Sequence, residues 1–185
     1  MKIKDIIRSA CLYLDDGETI DYLDSPSGQA AQSLLSKINA YTNFANIVIE
    51  ELAAGYIPMT YKEDLSASGG KINFADLTFN ATRVLNVKDA CGKELPFEIY
   101  PTFLKVGASE CSVEYEYAPA NYGLNDTVGF KGEVSATLLS YGLCAEFCVK
   151  EGRFEEAVMW RKRYTDGVEK AVLPKNAKVG GRCWL

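Results

Sequence analysis

The stretch Ser135-Ala136-Thr137-Leu138-Leu139-Ser140-Tyr141-Gly142-Leu143-Cys144-Ala145-Glu146-Phe147-Cys148-Val149-Lys150 decides the fold. Ala136, Leu138, Leu139, Tyr141, Leu143, Ala145, Phe147, Cys148 and Val149 make it apolar nearly all round. Such a helix has to be covered on every side, which puts it at the centre of a bundle. Glu146 is its one charged residue before the end. A buried carboxylate must find a partner or take up a proton. Arg161 and Arg163 in the next segment are the candidate partners, so Glu146 is read as one half of a structural ion pair and not as a general acid. Gly152 turns the chain, and Lys150 suits the negative end of the helix dipole. Residues 153–172 follow as a second helix with Ala157, Trp160, Tyr164, Gly167 and Ala171 on its inner face. Pro174 ends it. Residues 175–185 are polar and glycine-bearing, are expected to be extended, and close on Gly180-Gly181-Arg182-Cys183-Trp184-Leu185.

At the other end of the sequence, Ile3, Ile6, Ile7, Ala10, Cys11 and Leu14 share one face of a short helix. Asp15-Asp16-Gly17-Glu18 reads as the turn that ends it. With Asp21 and Asp24 these acids form a cluster, expected to be solvated because the alternating ligands of a calcium loop are absent. A long helix is expected over residues 27–54, started by Ser25-Pro26-Ser27. Ala31, Leu34, Ile38, Tyr41, Ala45, Val48 and Leu52 keep a 3-4 spacing, and Leu35 and Ile49 widen the stripe. Coiled-coil pairing is the rival reading, but about three heptads favour packing within the chain. Gly55 and Pro58 stop the helix.

Between these helical ends the period changes from 3.6 to 2. Strands are expected over residues 59–66, 71–74, 82–89, 94–100, 103–106 and 112–118, with tight turns at Ser68-Gly69-Gly70 and Ala90-Cys91-Gly92. In the last strand Val113, Tyr115 and Tyr117 alternate with Glu114 and Glu116. One face is therefore buried and the other meets water or a partner. Residues 120–130 read as a loop. The expected architecture is α+β: a four-helix bundle, two helices from each end of the chain, with an inserted antiparallel β-domain and an extended C-terminal tail. The expected divisions fall at 1–58, 59–130, 131–173 and 174–185.

The chain has 185 residues, no histidine and a formal net charge of −5. Without histidine the commonest general acid/base and the commonest transition-metal ligand are missing, so neither catalysis, a cofactor nor a metal is expected. The acidic charge argues against dedicated nucleic-acid binding. It suits a surface that DNA slides past. The six cysteines fit neither a zinc ribbon nor a CxxC motif and are expected to stay reduced. Neither a signal peptide nor a membrane span is expected.

Three sets of phrases carry a resemblance. The first is Ser140 through Cys148, then Glu151-Gly152-Arg153-Phe154-Glu155-Glu156-Ala157, then Trp160-Arg161-Lys162-Arg163-Tyr164. The second is Glu50-Glu51-Leu52-Ala53-Ala54-Gly55-Tyr56-Ile57-Pro58, and the third Gly70-Lys71-Ile72-Asn73-Phe74-Ala75-Asp76. Taken together and in their order along the chain, from long helix to tail, these phrases resemble the head-to-tail adaptor (connector) proteins of tailed bacteriophages and prophages. The resemblance implies a dodecameric ring in the virion neck, made in the cytoplasm of a bacterial host. Its implied partners are the portal protein, a tail or nozzle protein and further copies of itself, with DNA passing through the lumen without specific binding. Docking on the portal would fall to the tail, with Arg182, Trp184 and Leu185 as anchors, since arginine and aromatic residues are frequent interface hot spots. Two other readings stand beside it. One is another neck or tail-completion protein. The other is a small binding module using the exposed sheet face around Glu114 and Glu116 and the tyrosines from Tyr115 to Tyr122.

Overall fold

A computed structural model describes residues 1–26, 31–130 and 134–172. Helix α1 (Ile3–Leu14) buries Ile3, Ile6, Ile7, Ala10 and Cys11, the i, i+3, i+4 stripe of an amphipathic helix. Asp15 then adopts a left-handed conformation, φ 57°, and stops it. The chain does not continue as a turn. Asp16 caps a further helix, α2 (Gly17–Asp24), its carboxylate accepting the N–H of Thr19 at 3.4 Å. Aspartate at this position satisfies a free helix N–H, and Glu18 in the first turn suits the positive end of the dipole. Thr19 and Leu23 face inward.

Helix α3 (Gln32–Gly55) follows, with Leu34, Ile38, Tyr41, Ala45, Val48, Ile49 and Leu52 buried along it. The start expected at Ser27 falls on residues 27–30, outside the described residues. Helix α4 (Ala136–Lys150) is capped by Ser135, whose Oγ accepts the Leu138 N–H at 3.1 Å. Gly152, at φ +74°, makes the tight turn into helix α5 (Phe154–Val172).

The four-helix bundle is not what forms. The protein has five α-helices among the described residues, and they are not equivalent. Helix α4 is a hub that packs against α1, α3 and α5 together, while α2 lies on α1. The physical reason is the composition of α4: with Leu138, Leu139, Leu143, Cys144, Phe147 and Cys148 buried around its circumference, two neighbours could not cover it. A 15-residue helix is marginal by propensity alone. Each large side chain it buries contributes about 2 kcal/mol, and that burial holds it. Close approach is made possible at Gly142, where an added Cβ would lie 2.7 Å from Val48 Cγ1 on α3 and 3.2 Å from Tyr164 on α5. One turn further on, the Tyr41 and Phe147 rings stack at 4.3 Å.

The β-region comprises six strands in two antiparallel sheets. Strands β1 (Met59–Ser66), β6 (Glu110–Tyr117) and β3 (Ala81–Lys88) form one, in the order β1-β6-β3. Strands β2 (Lys71–Asn73), β5 (Phe103–Val106) and β4 (Phe97–Ile99) form the other, in the order β2-β5-β4. The turns at Gly69-Gly70 and Gly92 therefore send the chain from one sheet to the other. Val84, Val87, Cys111, Val113 and Tyr115 from the first sheet meet Ile72, Leu104 and Val106 from the second in one apolar cluster. The outer face of the first sheet carries Lys62, Asp64, Asn86, Lys88, Ser112, Glu114 and Glu116, so the alternation in β6 sorts core from surface.

Residues 118–130 return the chain to the helices. They run along α1, where Ile3 N–H donates to Asp126 O, Lys4 N–H to Leu124 O, and Val128 N–H to Met1 O, at 2.8 to 3.1 Å. Asn46 on α3 ties the same segment, accepting the Tyr122 N–H at 2.8 Å and donating to its carbonyl at 2.9 Å.

Candidate functional site

Residues Gly142, Glu146 and Val149 recur at helical spacing along one line of α4. Because Gly142 touches Val48 and Tyr164, that line runs between α3 and α5. On the α3 side, Phe44, Ile47 and Glu51 share a face. On the α5 side, Phe154, Val158 and Arg161 do the same. Arg161 crosses between them: its Nη1 and Nη2 donate to Glu51 Oε2 and Oε1 at 2.9 and 2.6 Å, and Nη1 lies 3.7 Å from Glu146 Oε1. On this side of the helices Ile47, Val149, Phe154 and Val158 are exposed apolar side chains, with the Glu51–Arg161–Glu146 cluster tying α3, α4 and α5 together.

The other side of α5 is built differently. Tyr13 from α1, Tyr141 from α4 and Trp160 from α5 form a triangle of rings with centroids 5.4 to 5.8 Å apart. The Arg163 guanidinium lies 4.7 Å over the Trp160 ring.

The sequence-predicted residues are thus divided. Glu146 meets Arg161, but Glu51 takes the hydrogen bonds, and Arg163 lies on the far side of the helix. Glu146 is also not sealed from water, with 31% of its side chain exposed. A half-exposed ion pair of this kind is worth under about 1 kcal/mol. Arg182, Trp184 and Leu185, the anchors the resemblance implies, lie outside the described residues.

The acidic cluster is corrected at one position. Asp16 is buried. Its Oδ2 accepts from Thr19 Oγ1 at 2.8 Å and Tyr41 Oη at 3.0 Å, and Lys37 Nζ lies 2.8 Å away. Burial pushes this carboxyl up, but the hydrogen bonds from Lys37, Thr19 and Tyr41 outweigh it and hold it below its ordinary value. Burial, with Cys11 and Asp16 close by, raises the Tyr41 phenol. The pairing is an ionised carboxylate inside a protonated shell, built to hold α1, α2 and α3 together. Glu63 plays a similar part in the β-region. It accepts from Tyr115 Oη at 2.6 Å and from Thr78 N–H and Oγ1 at 3.0 and 2.7 Å. Sequence reading missed both, although Asp16 three residues before Thr19 is a helix-start spacing.

Nucleophiles are poorly placed. Burial pushes the thiols of Cys11 and Cys144 up to about 12, so neither is a thiolate at neutral pH. An open depression of about 450 Å³ lies on the first sheet, lined by Lys62, Asp64, Lys88, Glu110 and Ser112 among others. Its charges are mixed, and no nucleophile–base pair converges there. Among the described residues no group of three or more Cys, Asp or Glu is positioned to hold a metal ion. No helix among them is long and apolar enough to cross a membrane. No family model matches the chain, and no curated protein does. What the described residues offer is surface: exposed apolar side chains on one side of α5 and an aromatic flank with an arginine on the other.

Proposed function

We propose that this protein is a virion structural protein: a head-to-tail adaptor that assembles as a ring between portal and tail of a bacteriophage or prophage. The observation that carries the reading is the ordered run of phrases resembling that family. They fall on the exit of α3, on β2, and on the α4–α5 hairpin, which supplies the hub of the helical unit. The two exposed surfaces flanking α5 support it further, since a ring protein must meet neighbours on two sides. On this reading the tail, residues 175–185, docks on the portal through Arg182, Trp184 and Leu185. The other end meets a tail or nozzle protein. DNA passes through a lumen lined mainly by Asp and Glu, which repel phosphate.

The test is reconstitution. Purified chain mixed with its cognate portal protein should give a ring complex visible by electron microscopy. Chain lacking residues 175–185 should fold as before and give none. Normal portal binding by the truncated chain would sink the anchor assignment. Binding to tail-tube components with no affinity for the portal would move the protein one layer down, to a tail-completion role.

A further inference from the structure

Helices α4 and α5 leave a hollow of about 280 Å³ between the first two turns of one and the last two turns of the other. Leu138 and Tyr141 line it from α4, Gly167 and Ala171 from α5. Thr137 and Lys170 also line it, and both are exposed. Lys170 forms no salt bridge among the described residues. An apolar lining with an ammonium beside it suits an aromatic ring, which fills the hollow and offers its face to the cation.

The chain carries such a ring close by. Ala171 lines the hollow, and α5 ends one residue later at Val172. Trp184 is the one aromatic residue in the sequence 173–185. It stands twelve residues beyond Val172, a reach of up to about 40 Å when extended, and the hollow lies well inside that reach. So short a tether holds the ring at an effective concentration of about 1 mM, where a contact too weak to keep a free partner stays occupied. A tryptophan left in water would forgo the burial of about 150–250 Å².

We propose that Trp184 seats in the hollow between α4 and α5 of its own chain, with Lys170 beside its ring. On the adaptor reading the same tryptophan leaves this seat for the portal. The seat is tested without a portal, so its failure leaves that reading untouched, and failure to bind a portal leaves the seat untouched.

Cys183, next to Trp184, reports where the ring lies. The test uses the full chain with the exposed Cys91 changed to serine, and adds one cysteine at an exposed position, Thr137→Cys or Glu155→Cys. Glu155 is in the first turn of α5, about 25 Å from Val172, so a freely ranging Cys183 would reach it too. Under oxidised glutathione, Thr137→Cys should link to Cys183 within one chain at least about tenfold faster than Glu155→Cys does, the advantage of a held over a merely tethered group. Trp184→Ala should bring the two rates together. Equal rates in the parent, or a Thr137→Cys rate that Trp184→Ala leaves unchanged, would overturn the seat. Links between two chains, faster at higher protein concentration, would hand the hollow to a second copy and overturn it as well. Should Thr137→Cys fail to fold by circular dichroism, the parent decides: its Cys183 should react with a disulfide reagent several-fold more slowly than in Trp184→Ala, and equal reactivity would sink the proposal.

Discussion

At the scale of single residues, the position with most at stake is Asp16. It is an ionised group inside the helical unit, and its four-way contact joins three helices. Asp16→Asn should destabilise the protein by about 2 kcal/mol, the worth of hydrogen bonds to a charged group. The pH dependence follows from the direction of its shift. Its folded value lies below the ordinary 3.8, so the stabilisation is fully present above that value. It is lost as pH falls through the folded value, when the carboxylate must be protonated. Denaturant melts of wild type should therefore show falling stability between about pH 5 and 2, and Asp16→Asn should be flatter over that range. An equally steep fall in the variant would assign the acid sensitivity to other carboxylates. Gly142 is the second such position. Gly142→Ala gains about 1 kcal/mol of helix propensity but drives a methyl into Val48, an overpacking cost of about 1–3 kcal/mol, so a net loss in melting temperature is expected. Thiol chemistry gives a third check. In a Cys183→Ser background, Cys91 is the exposed thiol among the described residues and should react with a disulfide reagent at once. Cys11 and Cys144 should react only on unfolding. Rapid modification of several thiols in the native protein would contradict the buried core.

At the scale of elements, how much could be read depended on how local the cause was. Helix α1 and strand β1 stand within the bounds their patterns give, because a stripe of isoleucines and a run of alternating residues are written in consecutive positions. Helix α5 was legible except for Val168, which a stripe stepping from Tyr164 to Gly167 passes over. Helix α2 was missed because its acids looked like a turn. The helix rests on Asp16 accepting from Thr19 and on Tyr41 and Lys37 arriving from α3, and the second of these is a tertiary fact. The hub arrangement was half legible: the composition of α4 called for burial all round, but not for three unequal neighbours and an outlying fifth helix. The division into two sheets was not legible at all, since β1 pairs with β6 and β2 with β5 across long stretches of chain. The Glu51–Arg161 pair escaped for the same reason, its partners lying 110 residues apart in sequence. Asn46 shows what such distant ties contribute. Its two hydrogen bonds to the Tyr122 backbone hold the returning loop on α3, and Asn46→Ala leaves a half-buried N–H and C=O without their partner. A loss of about 1–2 kcal/mol in chemical denaturation is expected. Amide exchange at Tyr122 should also speed up while α5 is untouched. Unchanged exchange there would mean the loop is held by its contacts to α1 alone.

At the scale of the whole molecule, the question is whether helices and sheets unfold together. The two chain crossings between them meet at one place. Met59 opens β1 and is buried in the helical core, and directly opposite it in register Tyr117 closes β6 and packs against both apolar clusters. Tyr122 adds a contact, its Oη 3.7 Å from Met59 Sδ. The ring of Tyr117 is half-buried and stacks on Phe79 at 4.4 Å, so its removal should cost about 2 kcal/mol. That is a sizeable part of a domain stability of about 5–15 kcal/mol, and the loss falls at the junction and not within either core. Wild type should therefore melt in one calorimetric transition, and Tyr117→Ala in two, the β-region first because its core is the smaller. Tyr100→Ala is the control. Its ring stacks only on Phe103 at the far end of the second sheet, so it should lower the melting temperature slightly and leave one transition. If Tyr117→Ala still unfolds in a single step with its calorimetric and van't Hoff enthalpies equal, the coupling resides in the backbone ties of residues 118–130, and the aromatic junction is not what keeps the two units in step.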